Sequence, residues 1–531
     1  MELLGTRELS KNERELKKIG FWEAYSIGVG GMIGGGIFAV LGLTILLAKG
    51  AAPIAFLFAG FIALLTAYSY AKLSVRYPSE GGTVEFLVRG FGNGILSSYL
   101  NTLLLASYVI MLALYSYAFG SYADALFFKG GEEYAKKIFV VGVVAFFTLL
   151  NFLGAYISGK WEDFMVLVKV AILLFFSLLG FFSGDFHRLS PEHYESALKI
   201  MTGGLIIFLA YEGFELIANT AQDIKDPQKN LPRAYYASVL TTIFVYVLVA
   251  AVAVANLTYQ EVEKYQDFAL AVAAKPLLGE FGFTLIGIAA LLSTSSAINA
   301  TLYGGARVSY LIAKTGALPR ELSKRIWKEG TEGLAILAVL SVVFALVFNL
   351  ENISIAGSLG FLLIFAFVNL ANFRLYKETA SNRWISLTAA IFCFMSIFVL
   401  IWYNLDKSPQ NLISAFTVLL GTFLLEAVYV FYKKRRLENF IDFRLKKRER
   451  VIKNPMLYLS PAVEKIKKNH KEAKLYKIES PSHIEILIYS KDSPKIKKEL
   501  RNTLKHTLGD EGMRLFNIKA IDKQPQHLTP L

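Results

Sequence analysis

The sequence holds a single cysteine, Cys393, in 531 residues, and only six histidines. One thiol cannot build a disulfide framework, and Cys393 lies inside an apolar run, where it reads as an inert core thiol. The histidines all fall in loops or in the tail and support no metal site, so no metal and no cofactor is expected. Charged residues make up only 18% of the chain. No phosphate-cradling loop and no nucleophile–base arrangement appears, so the chain does not read as an enzyme. The formal net charge of +14 does not point to nucleic acid. The lysines and arginines lie in loops and the tail, where membrane topology and anionic lipid account for them.

What the chain has in plenty is apolar sequence: 54% hydrophobic residues, with 41 Phe and 27 Tyr. Apolar segments fall at about 21–47, 52–75, 96–127, 138–157, 161–183, 203–221, 234–256, 268–313, 332–348, 352–374, 384–404 and 411–432. Most are near the 20 residues that a membrane helix needs. The reading is an all-α membrane protein of 12 transmembrane helices in residues 21–432, with a 1–20 arm before it and a basic 433–531 tail after it. The third and eighth segments exceed bilayer thickness and should tilt or continue past the membrane. The first is too long for a signal peptide and has no cleavage site, so it is expected to be retained. Twelve spans put both termini on one side. Lys72, Arg76 and Arg89, then Lys225, Lys229 and Arg233, then Lys314, Arg320, Lys324, Arg325 and Lys328 assign that side to the cytoplasm of a multi-pass cell-membrane protein.

The first span contains Gly28-Val29-Gly30-Gly31-Met32-Ile33-Gly34-Gly35-Gly36-Ile37-Phe38. Each glycine weakens a helix by about 1 kcal/mol relative to alanine. A helix broken at Gly34, Gly35 and Gly36 would aim free amides at an anion near mid-bilayer. The same glycines also fit small-xxx-small helix packing, through Gly30/Gly34 and Gly31/Gly35. A second polar interruption, Leu209-Ala210-Tyr211-Glu212-Gly213-Phe214-Glu215, falls five spans later. An odd number of spans per group inverts the second group, giving repeats of about 21–183 and 203–374. Interrupted helices at matching positions of inverted halves point to a transport site.

Other polar groups lie at membrane depth. Lys169 sits eight residues into span five, within Met165-Val166-Leu167-Val168-Lys169-Val170-Ala171. An ionisable side chain there is a functional candidate by default, and an ammonium is able to gain and lose a proton during a cycle. Glu212 and Glu215 are candidates to pair a cation or relay a proton, or carboxylates held by freed amides next door. Ser293, Thr294 and Ser295 in span eight either line an ion or proton site or let helices pack closely. Asn101, Tyr108 and Tyr115 of span three are candidate cavity lining. In the tail, 483–489 and 513–521 read as strands and 494–508 as a helix, a small α+β module with no catalytic or metal motif.

Four ordered motifs resemble the amino acid–polyamine–organocation transporter superfamily. They are Gly31 to Phe38; Ala210 to Glu215, followed by Asp223-Ile224-Lys225-Asp226-Pro227; Ser293 to Asn299, running into Gly305-Ala306-Arg307; and Thr315-Gly316-Ala317-Leu318-Pro319. The resemblance implies a leucine-transporter-type fold of five helices, an inverted five and two more. It implies an amino acid whose carboxylate meets amides of Gly34, Gly35 and Gly36. Its α-ammonium would meet carbonyls near Met32, Ile33, Leu209 and Glu212, with Phe208, Ala210 and Gly213 completing the site. Lys169 matches a fifth-helix lysine that, in proton-coupled members, stands where sodium-coupled relatives bind a cation, with Ser293, Thr294 and Ser295 beside it. Glu215 matches a glutamate common in the sixth-helix motif and is assigned with Lys169 to proton coupling. Gly35 departs from a serine found in many members. Leu209 departs from a gating aromatic of antiporter members, leaving Phe208 or Phe214 for that role. The expectation is a proton-coupled amino acid transporter working by alternating access, with an amino acid, protons and membrane lipid as partners. The alternatives are an amino acid or polyamine exchanger, and a membrane sensor signalling through its C-terminal tail.

Overall fold

The computed structural model describes residues 19–432 and 459–521, except 80, 93, 130–131, 154–158, 316–324, 328–329, 460–462, 465, 471, 480–483, 491 and 513–515. They belong to two units, one up to Arg435 and one from Arg436 onward. Most of the arm, residues 316–324 and 328 of the basic loop, and the start of the tail lie outside the described residues.

The first unit is helical because a long apolar segment in hydrocarbon must satisfy its own backbone, and a helix does so within one segment. Its main helices are α1 (Phe21–Met32), α2 (Gly36–Ala48), α3 (Ala52–Arg76), α4 (Thr83–Phe91), α5 (Ile95–Phe128), α6 (Glu133–Phe152) and α7 (Gly159–Ser183). There follow α8 (Ala197–Ile207), α9 (Pro227–Asn256), α10 (Lys275–Thr315), α11 (Glu332–Val347), α12 (Leu350–Arg374), α13 (Arg383–Lys407) and α14 (Leu412–Tyr432). Side-chain oxygens start several of them: Ser196, Thr331, Asn349 and Asn382 each accept a first-turn amide, the usual satisfaction of orphan donors at an N-terminus.

Among the described residues ten helices are long and apolar enough to cross a membrane, and α1 with α2 makes an eleventh span bent by 45°. The ninth apolar segment gives α11, of only 16 residues. At 34 residues, α5 is about 51 Å long, well past the ~30 Å of a hydrocarbon core. The excess in α10 has a different cause: Gly279 stands at φ 59° and separates a first turn from the span proper.

The outer faces carry exposed Leu57, Leu178, Phe244, Phe398 and Leu425, which suits a hydrocarbon solvent. The interior is packed with aromatics. Tyr70 meets Phe86, Phe214 and Phe365 edge-on at centroid distances of 5.7, 5.4 and 5.5 Å, a favoured geometry for buried rings. Small residues set the closest helix approaches: Gly60 lies under Ile243, and Gly90 under Ala371.

The second unit holds β3 (Lys474–Glu479), β4 (Ile484–Tyr489), α15 (Ser493–Gly512) and β5 (Phe516–Ala520). Strand β4 is central, antiparallel to β3 (Leu475↔Ile488) and parallel to β5 (Ile486↔Ile518). Leu475, Ile486, Ile488, Ile496, Leu500 and Leu504 form its core. Two short strands of the first unit, β1 (Arg325–Trp327) and β2 (Gly330–Thr331), pair with each other just before α11.

Candidate functional site

The break in the first span is built from glycine. Helix α1 makes its last bond from Ile33 N–H to Val29 O at 2.7 Å. The next helical bond, Ala39 N–H to Gly35 O at 2.9 Å, belongs to α2. The amides of Gly36, Ile37 and Phe38 precede that bond, and no described group reaches them. They form a helix N-terminus at membrane depth, where free N–H groups and the helix dipole favour an anion.

The glycines also serve packing, so both sequence readings hold, at different residues. A Cβ on Gly31 would stand 2.7 Å from Gly213 O, and one on Gly36 would stand 2.7 Å from Ala210 Cα. The two interrupted spans therefore cross backbone against backbone. The second interruption is tightened, not unwound: Phe208–Glu215 continues α8 as a 3₁₀ helix, and Ala197–Asn219 remains one span. A mid-helix 3₁₀ stretch often marks a hinge or strain. Here it lets Gly213 sit on the backbone of Gly31 and Met32.

Three side chains from three helices grip the carbonyls of the break. Lys169 of α7 donates Nζ–H to Gly30 O at 3.0 Å. Ser293 of α10 donates to Ile33 O at 2.8 Å. Tyr246 of α9 donates to Met32 O at 2.5 Å, and its hydroxyl is 3.3 Å from Ala210 O. Lys169 is only 3% exposed, in a cleft it shares with Met165, Val168, Ile172, Ala289, Leu292 and Ser293. In this arrangement the carbonyls of Met32 and Ile33, expected to meet an α-ammonium, are already held by hydroxyls, as is that of Ala210.

The remaining candidates separate. Thr294 turns its hydroxyl back to Ala290 O at 2.7 Å and its methyl toward Gly35. Ser295 is half-buried and one helical step further round. The aromatic over the break is Tyr115 of α5, whose Cδ1 lies 2.5 Å from the position of a Gly35 Cβ. Phe208 and Phe214 pack instead on Phe365 of α12, at 6.0 and 5.3 Å, and Leu209 lies against Gly357 of the same helix. Glu215 accepts from Thr83 of α4 at 3.0 Å and Tyr70 of α3 at 3.3 Å, and Tyr108 of α5 also bonds it. Glu212 is 7% exposed, and no hydrogen bond or ion pair with a described residue reaches it. The Tyr108 hydroxyl accepts from Asn219 at 3.3 Å and bonds Glu215 of the second interruption. Asn101 is buried in α5. Sequence reasoning missed Tyr246, which ties both interruptions together. Its sequence carried no distinguishing signal, because the same span also holds Tyr235, Tyr236 and Phe244.

A helical membrane bundle with a broken span over a buried lysine belongs to the transporters that carry their site between interrupted helices. Within that class the chain is a member of the amino acid permease family, whose model matches residues 19–425. It is 39% identical over 428 residues to an uncharacterized protein of Methanocaldococcus jannaschii, covering 80% of this chain and 98% of that one. It is 33% identical over 425 residues to the inner membrane transport protein YbaT of Escherichia coli, covering 79% and 97%. Among solved structures it resembles a manganese transporter of Eremococcus coleocola, with a TM-score of 0.52 at 14% identity over 83% of this chain and 98% of that one. At that identity the likeness concerns the fold alone. The chain is thus an amino acid transporter of this family and not an enzyme.

Proposed function

We propose that this chain is a proton-coupled amino acid transporter of the cell membrane, working by alternating access, with twelve spans in a five-plus-inverted-five-plus-two order and both termini cytoplasmic. Helix α11 serves as the ninth span: 16 residues at 1.5 Å give about 24 Å, short of ~30 Å by an amount that local thinning accommodates. The observation that carries the reading is Lys169 on Gly30 O beneath the break. An ammonium there substitutes for a bound cation, and it shares the break with the Ser293 hydroxyl.

The cycle follows from what each group does. With its proton, Lys169 holds α1 through Gly30. When the proton leaves toward one side, the ammonium's charge and one donor are lost, the grip on α1 weakens and the span is free to tilt. The substrate carboxylate takes the amides of Gly36, Ile37 and Phe38 once Tyr115 swings from Gly35. Its ammonium competes with Tyr246 and Ser293 for the carbonyls of Met32 and Ile33. The buried carboxylate of Glu212 lies on the facing 3₁₀ stretch, Phe208–Glu215. Binding therefore exchanges internal hydrogen bonds for substrate bonds, which couples occupancy to the positions of both interrupted spans.

The test is uptake of radiolabelled amino acids into proteoliposomes with an acid exterior. Accumulation that vanishes when the gradient is collapsed supports the reading. Uptake that ignores the gradient but requires internal amino acid supports exchange instead.

A further inference from the structure

The loop from Gly184 to Ser196, between α7 and α8, carries residues that the transport reading leaves unused. Asp185 accepts the His187 amide at 3.2 Å. Ser190 Oγ donates to His187 O at 2.6 Å and lies 2.9 Å from Glu192 Oε1. Two short 3₁₀ turns, Phe186–Leu189 and Pro191–His193, are thereby folded against each other.

The fold brings His187, Glu192 and His193 to one point. One ligand atom from each lies within 4.8 Å of the others. His187 Nε2 is 2.9 Å from Glu192 Oε1, and the two imidazole rings are 5.5 Å apart. Two imidazoles and a carboxylate are a zinc-type ligand set, completed by water at a fourth position. Metal bonds of about 2.1 Å place tetrahedral ligands roughly 3.4 Å apart, a small adjustment reached by rotating the exposed His187 and Glu192 about the half-buried His193. The neighbouring cations have partners of their own. Arg188 pairs with Asp185 and donates to Leu257 O, while Lys49 and Lys199 pair with Glu195.

The loop is also tied to the interrupted spans. Gly50 N–H donates to His193 O at 3.2 Å, and Asp185 N–H to Ala255 O at 2.9 Å. Lys49 bridges to Tyr194 and pairs with Glu195 at 2.7 Å. The loop thus links the end of α2, the start of α8 and the end of α9.

We propose that His187, Glu192 and His193 bind a divalent transition metal of the zinc class, and that the bound ion staples the two turns and slows movement of α2. The binding stands on its own; the slowing rests on the transport reading. No spacing in the sequence announced the site, because His187 and His193 meet only through the two turns.

The test is calorimetric titration of the purified full-length protein with zinc chloride, against a His187→Ala/His193→Ala double variant and the milder Glu192→Gln. The expected result is one zinc ion per chain, bound at least tenfold more weakly by the double variant and to an intermediate degree by Glu192→Gln, with no magnesium binding. His470→Ala, which removes the His470–Glu499 pair of the second unit, should bind as the parent does. Equal zinc affinity in parent and double variant overturns the site. In proteoliposomes, saturating zinc should lower uptake at least threefold in the parent and leave the double variant unaffected. Undiminished parent uptake with zinc bound overturns the stapling. If no amino acid is taken up even without zinc, the transport reading fails, and the titration still decides the site.

Discussion

Lys169 and Ser293 bond carbonyls three residues apart in the same break, Gly30 O at 3.0 Å and Ile33 O at 2.8 Å. They reach it from α7 and α10. A cation and a hydroxyl thus hold the end of α1 from two separate helices, and a change in either is felt by the interrupted span.

Removing the cation should uncouple transport. Lys169→Ala is expected to lower pH-driven accumulation at least tenfold while leaving equilibrium substrate binding measurable. Radiolabel uptake and a binding assay on the same preparation check both halves. Unchanged accumulation would remove Lys169 from coupling.

Filling the break should abolish binding. Gly35→Leu puts a branched side chain where Tyr115 Cδ1 and Thr294 Cγ2 already stand 2.5 and 3.0 Å from the first added carbon. Thermal-shift screening against the twenty amino acids should give a response for the parent and none for the variant. Retained affinity would count against the anion site.

The tyrosine missed in sequence makes a stability test. Tyr246→Phe keeps the ring and its packing on Phe56 and Tyr211, at 5.7 and 5.0 Å, but frees Met32 O and Ala210 O. A lost bond of this kind is worth about 1–2 kcal/mol. A lower melting temperature is expected, together with a higher substrate affinity, because a competitor for Met32 O is gone.

The crossing of the interrupted spans should tolerate no methyl group. In Gly213→Ala the new carbon meets the Gly31 carbonyl carbon and the Met32 amide. Overpacking of this sort costs about 1–3 kcal/mol. Both melting temperature and uptake should fall, whereas Gly142→Ala, whose added carbon meets nothing, should leave both unchanged.

The polar intrusions were legible because lipid makes each of them expensive. Lys169, Gly34–Gly36 and the Glu212–Glu215 turn stood out against apolar neighbours for that reason. Their partners were not. The sequence marks Tyr115 only as one of three lining candidates in span three, and Tyr246 is one of 27 tyrosines; only tertiary packing decides which hydroxyl meets a carbonyl and which ring covers a glycine. The shape of the second interruption was hidden too. Gly213 signals weak helix, but whether the chain unwinds or tightens depends on Gly31 across the crossing. The placing of Ser295 away from the break, against Ser293 facing it, follows from the helical phase of α10, which a run of hydroxyls does not reveal.

Coupling is tested most directly by a pH-sensitive dye trapped inside proteoliposomes of the full-length protein. Addition of external amino acid should acidify the interior of parent vesicles, with protons entering alongside substrate, and should leave vesicles of Lys169→Ala unchanged. Substrate entry into parent vesicles with no acidification would contradict proton coupling.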